Sequence, residues 1–143
     1  MADNRTKAQR SYNMSRIHSK DTKPELIVRK FLYANGIRYR LHQKDLPGHP
    51  DIVVSKVSIV VFIHGCFWHS HKNCRFAKIP ATNKSFWADK IFKNIARDKR
   101  NITDLKKAGW TVLTIWECQL TNNNRDATLK RVRNRIINEN LSN

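Results

Sequence analysis

Acid is scarce in this sequence. Against 28 Lys and Arg there are only 11 Asp and Glu, leaving a formal charge of +17 over 143 residues. Charge of that size and sign repels itself and attracts polyanions, so nucleic acid is the natural partner. Long apolar runs are also missing. The longest, Ile59 to Ile63, falls far short of the roughly twenty residues that a bilayer-spanning helix needs. The opening "MADNRTKAQRSYNMSR" lacks the apolar segment of a signal peptide, and a cytoplasmic protein is expected. Cysteine is limited to Cys66, Cys74 and Cys118. An odd number near histidines, in a chain with no export signal, favours metal thiolates over disulfides. The length suits one domain, and 40% hydrophobic residues can fill its core.

Residues 1–20 carry five basic residues, one acid and little periodicity, which predicts a flexible basic arm ahead of a single domain over 21–143. A disordered tail and an arm that orders on nucleic acid read alike at this level. "DTKPELIVRKFLYANGI" predicts a helix capped by Asp21 or Thr22, with Pro24 in its first turn, Gly36 as its stop and Leu26, Ile27 and Phe31 buried. "IRYRLH" predicts a strand and "KDLPGHP" a turn. "DIVVS" and "VSIVVFIHG" predict a hairpin of interior strands turning near Ser55 and Lys56. Ser85 to Ala108 predicts a long helix with Trp87, Ile91, Asn94, Ile95, Asp98, Ile102 and Leu105 near one face. "WTVLTIWEC" predicts a buried strand, and Asp126 to about Asn140 a last helix with Leu129, Val132 and Ile136 inward. The order implies an α/β fold, a mixed sheet flanked by helices.

The chemistry concentrates in "HGCFWHSHKNC", residues 64–74. A helical crossover makes the strands ending at Ile63 and Trp116 parallel and places their carboxyl ends at one edge. Cys66 and Cys118 then converge, and with His71 and Cys74 they form a Cys3His set suited to structural Zn2+. Buried free cysteines beside an unrelated histidine are the plainer alternative. A loop pinned in this way would hold Phe67 and Trp68 rigidly, either as a wedge between stacked bases or as a small core around the metal. Trp87 could join either arrangement. His64 and His69 remain over. The hairpin lays Asp51 of "GHPDIVV" across from Val60 to Phe62, and Asp51 with the carbonyl of Ile63 would make a hard-oxygen site for Mg2+. Phosphodiester hydrolysis fits, with a histidine handling protons. Glu25, in the first turn of its helix, favours the helix dipole. Asp98 falls on an apolar stripe and needs a partner, either a basic group or the histidine cluster.

"PELIVRKFLYANGIRYR", "LPGHPDIVV", "VFIHGCFWHSHKNC", "FWADKIFKNIARDKRNITDLKKAGW" and "VLTIWEC" together resemble the very-short-patch repair (Vsr) DNA mismatch endonucleases. The likeness runs from "NMSRIHSKDT" to Cys118, and the last twenty-odd residues add little to it. It implies a restriction-endonuclease-like fold and a DNA repair enzyme that nicks double-stranded DNA 5′ to the T of a T:G mismatch left by 5-methylcytosine deamination, using Mg2+. The resemblance makes Asp51 the metal-binding aspartate, His69 the catalytic base, and His64 and Glu25 supporting active-site residues. Cys66, His71, Cys74 and Cys118 would hold structural Zn2+. Phe67, Trp68 and Trp87 would enter the base stack, with Met14 and Ile17 in an N-terminal element clamping the opposite groove. Two departures stand out: Ile63 where a relative has Thr, and a ligand loop one residue longer between His71 and Cys74; Phe-Ile-His over 62–64, in place of the acid-x-Lys of most restriction nucleases, is what the resemblance implies. A strand-specific nick needs one active site and implies a monomer. A zinc-stapled DNA-binding module without catalysis and a nuclease of the same fold acting on other DNA are the competing readings.

Overall fold

The structure, a computed structural model, describes residues 22–66, 69, 71, 74 and 81–142. The expectations for the basic arm, for Met14 and Ile17, and for Phe67 and Trp68 lie outside the described residues. The chain runs α1 (Lys23–Ala34), β1 (Arg40–Leu41), β2 (Ile52–Val54), β3 (Ile59–His64), α2 (Lys84–Lys107), β4 (Thr111–Trp116) and α3 (Arg125–Ser142), with 3₁₀ turns at Ser55–Val57 and Glu117–Leu120. The four strands form one mixed sheet in the order β1-β2-β3-β4. The first three are antiparallel neighbours, and β3 and β4 are parallel, joined through α2.

Side-chain alternation divides the core into two layers. Ile52, Val54, Ile59, Val61 and Ile115 pack on Val28 and Leu32 of α1 and on Leu129, Val132 and Ile136 of α3. Val53, Val60 and Phe62 point the opposite way, toward Leu105 of α2. Helices on both faces explain why "IVVFI" is continuously apolar where a half-exposed strand would alternate. The same parity puts His64 on the Phe62 side, beneath α2.

Three local expectations need correction. α1 buries Glu25, Val28 and Leu32, whereas Leu26 is 40% exposed and Ile27 and Phe31 are only partly buried at the core margin. The face turned inward is offset from the most apolar stripe because the helix end must deliver Glu25 to the sheet edge. Thr22 sits at the N-cap with no side-chain hydrogen bond. "IRYRLH" contributes only Arg40 and Leu41 to the sheet, because the partner strand offers just Ile52 and Val53 to pair with them. Asn35 ends α1, and Gly36 at φ +78° turns the chain away from it.

Candidate reaction centre and metal centre

The end of β3 carries both centres. Ile63 donates its backbone N–H to Asp51 Oδ2 at 2.7 Å, a consequence of the hairpin register, in which Ile52 faces Val61. Burial pushes the Asp51 carboxyl up from 3.8 to about 6. The Ile63 N–H opposes that rise, and the neighbouring Glu25 carboxylate adds to it. Two carboxylates held together out of water are poorly satisfied by protein alone. The donor set here is hard oxygen with one imidazole, Glu25, His42 and Asp51, their ligand atoms within 4.8 Å of one another. Arg29 Nη2 already stands 2.9 Å from both Glu25 Oε2 and His42 Nε2, so a small divalent cation that retains its own waters would be held through Asp51.

Beside it, His64, His69 and Asp98 form a second group of the same compactness. The His64 and His69 rings stack at 3.8 Å with 6° between their planes. His69 Nδ1 lies 2.5 Å from Asp98 Oδ2, which gives Asp98 the partner its inward position requires. Burial works against the Asp98 charge, but the His69 hydrogen bond and the charges of His69, His64 and Arg97 outweigh it and hold the carboxyl below its ordinary value. An ionised carboxylate only accepts, so the proton of this bond sits on His69 Nδ1; in the neutral ring Nε2 then carries the lone pair. Burial, reinforced by His69 and Arg97, lowers His64 to about 4 and leaves it neutral near pH 7.

One turn further on, Cys66, His71, Cys74 and Cys118 bring four ligand atoms within 4.8 Å of one another. His71 Nδ1 lies 3.8 Å from Cys66 Sγ and 3.3 Å from Cys118 Sγ. Tetrahedral zinc at ordinary bond lengths separates such atoms by about 3.6 Å, so the cluster has the dimensions of a closed four-ligand site. Burial pushes the Cys66 thiol up to about 12 and raises Cys118 as well. Thiols this reluctant to ionise need a bound cation to become thiolates. Trp116 separates the two centres. His71 stacks on its face at 4.2 Å, and His64 meets it edge-on at 5.2 Å.

The structure therefore gathers Asp51, Ile63, His64, His69 and Glu25 at one edge of the sheet and joins Cys118 to Cys66, His71 and Cys74. Trp87 is half-buried at the start of α2, edge-on to Phe86 at 5.2 Å with Lys90 Nζ 6.0 Å from its ring centre. Sequence reasoning missed His42 and Arg29. Arg29 Nη2 lies 2.9 Å from both Glu25 Oε2 and His42 Nε2. The signal that could have found His42 was the β-meander itself, which sets the residue after "RL" opposite Asp51.

Comparison with known proteins converges on one family. Residues 2–75 match the family described as DNA mismatch endonuclease Vsr. The chain is 49% identical over 139 residues to the type II nicking enzyme V.NmeAIP of Neisseria meningitidis, covering 97% of this chain and 96% of that one. It is 45% identical over 121 residues to the type II nicking enzyme V.XorIIP of Xanthomonas oryzae, with 85% and 88% covered. It is 47% identical over 120 residues to the DNA mismatch endonuclease Vsr of Escherichia coli, with 84% and 76% covered. The likeness to the Neisseria protein extends over the C-terminal helix, where sequence motifs gave little support. Identity of this extent, together with the matched N-terminal half, places the chain in the DNA mismatch endonuclease Vsr family.

Proposed function

We propose that this endonuclease is Mg2+-dependent and strand-specific, nicking double-stranded DNA 5′ to the T of T:G mismatches that arise from deaminated 5-methylcytosine. One observation carries the reading: the partly buried Asp51 carboxylate and the His69–Asp98 pair share one sheet edge. That combination supplies a cation site and an oriented base.

Asp51 would bind the ion with the backbone carbonyl of Ile63. A strand residue sends its N–H and C=O to the same side, and the Ile63 N–H already points at Asp51. When bound, Mg2+ supplies charge stabilisation to the phosphate under attack. The protein's own residues do the rest. Asp98 fixes the His69 tautomer, so that Nε2 takes the proton of the attacking water. His64, neutral and stacked on His69, keeps that ring from turning. Glu25 supports Asp51 from α1. Cys66, His71, Cys74 and Cys118 would hold structural Zn2+, with no position left open for substrate. Phe67, Trp68 and Trp87 would wedge into the stack beside the mismatch, and Met14 and Ile17 would clamp the opposite groove, with residues 1–20 as an arm that orders on DNA.

The sheet order, with a helical crossover between parallel β3 and β4, supports a restriction-endonuclease-like fold over residues 21–143. No helix among the described residues is long and apolar enough to cross a membrane, and we place a monomer in the cytoplasm. The test is a pool of end-labelled duplexes, each with one T:G pair in varied flanking sequence, beside the same pool with T:A, in Mg2+ and in EDTA. Nicks confined to the T strand of mismatched duplexes and lost in EDTA are expected. Equal cutting of T:A duplexes would leave a nuclease acting on other DNA, and binding without cutting would leave a DNA-binding module.

A further inference from the structure

Directly behind Asp51, Glu25 meets two side chains that the proposed chemistry does not use, Arg29 and His42. Glu25 is 3% exposed, and its carboxylate faces Asp51 closely enough to raise it. Arg29, one turn along α1, brings Nη2 to 2.9 Å from Glu25 Oε2 and equally to 2.9 Å from His42 Nε2. A guanidinium only donates. The Arg29–His42 contact is therefore a hydrogen bond in the tautomer whose Nε2 carries the lone pair. His42 Nε2 also lies 3.5 Å from Glu25 Oε2, so the three side chains meet at one point. His42 is in turn tied to Asp51 through the backbone, its N–H donating to the Asp51 carbonyl at 3.3 Å. It also holds a left-handed backbone at φ +48°, a conformation that costs a non-glycine residue on the order of 1 kcal/mol. The loop that aims the ring is therefore held there against its own preference.

We propose that Arg29 and His42 are positioning residues of the reaction centre: together they clamp Glu25 against Asp51 and so set the affinity of the Asp51 site for its divalent cation. The proposal rests on the reading of Asp51 as the cation ligand. Neither residue touches the reacting atoms. Arg29 places its guanidinium 2.9 Å from the buried Glu25 carboxylate, and His42 prevents the guanidinium from swinging away.

The decisive variants are His42→Leu, which removes the acceptor and leaves the Arg29–Glu25 pair, and His42→Gln, whose amide oxygen accepts the same hydrogen bond. The first readout is the Mg2+ concentration giving half-maximal single-turnover nicking of a T:G duplex. The second is Mn2+ binding, followed by loss of the free-ion EPR signal, to the protein on a pre-nicked T:G duplex that it cannot cut. Loss of an outer-shell partner typically weakens metal affinity about 10–100-fold. His42→Leu should raise both midpoints by at least about tenfold, and His42→Gln should recover most of the loss. Arg29→Met should act in the same direction. It leaves Glu25 without its cation, so His42→Leu carries the test whether or not that variant folds. Unchanged midpoints in His42→Leu overturn the clamp, whatever happens to the maximal rate. Asp51→Ala separates the two ideas: if it binds Mn2+ and nicks like the parent, the reading of Asp51 fails, whereas if it loses both while His42→Leu keeps both, only the clamp fails.

Discussion

The two clusters at the end of β3 meet the same problem in opposite ways. In each, burial makes the charged form of the ligands expensive: Cys66 is pushed up to about 12 and Asp51 to about 6. The cysteine cluster offers three soft sulfurs and an imidazole in a closed set, an arrangement that can hold an ion and do little else. The acidic cluster offers carboxylates and leaves coordination to water and phosphate. On the proposed reading the first keeps its ion permanently and the second takes one during turnover. Local charge cost therefore says that a cation is wanted, and donor type and number say what the cation is for.

The strongest way to break this comparison is to remove the chemistry of the acidic side alone. His69→Ala should lower the single-turnover nicking rate by about 10²–10⁴-fold, and Asp51→Ala by at least as much, while binding to a T:G duplex in a gel-shift assay stays near parental. A variant nicking at the parental rate would remove that residue from the mechanism. On the cysteine side the effect should fall on folding. Cys118→Ser, or prolonged chelation, should lower the melting temperature by roughly 10 °C or more, the equivalent of about 3 kcal/mol in a chain of this size. EDTA applied briefly should stop nicking with no change in melting. Equal melting temperatures for Cys118→Ser and parent would show that this cluster bears no structural ion.

A subtler contrast concerns stability in the absence of metal. The Asp51 carboxyl lies above its ordinary value in the folded state, so its ionised form works against folding. That cost is absent below pH 3.8, grows as pH rises to about 6 and is constant above it. Asp51→Asn keeps an acceptor for the Ile63 N–H. In metal-free protein at pH 8 it should therefore raise unfolding stability by on the order of 1–2 kcal/mol while abolishing nicking. No gain at pH 8 in urea unfolding would contradict the burial argument. The smallest effect expected is that of Ile63→Thr. If position 63 serves through its backbone, nicking should stay within about threefold of the parent, with about 1 kcal/mol of stability lost from trimming a partly buried aliphatic.

How far the sequence could be read varied with the kind of constraint. Along α2, Trp87, Ile91, Asn94, Ile95, Asp98, Ile102 and Leu105 share the less exposed side, because a long helix on a flat sheet obeys simple periodicity. The hairpin was legible for a similar reason: once Ser55 and Lys56 are the turn, the register that brings Asp51 to Ile63 follows. α1 was not legible in the same way. Its stripe of Leu26, Ile27 and Phe31 looked more apolar than the face it buries, and Glu25 is inside because Arg29 goes with it, a pairing that hydrophobicity does not encode. His42 escaped notice because its position depends on two strand residues pairing across an edge, too short a ladder to leave a periodic trace. The metal cluster stood out through residue type, and its closure by Cys118 through topology.

Trp116 gives the molecule an internal reporter. Its indole is covered by His71 on one face and touched by His64 at an edge, so a single chromophore looks onto both centres at once. A change in how His71 is held alters what quenches the ring from one side, and a change at His64 alters it from the other. Emission and near-ultraviolet dichroism from this residue, isolated by replacing the remaining tryptophans, would follow loading of the cysteine cluster and events at the acidic edge in the same sample without a label.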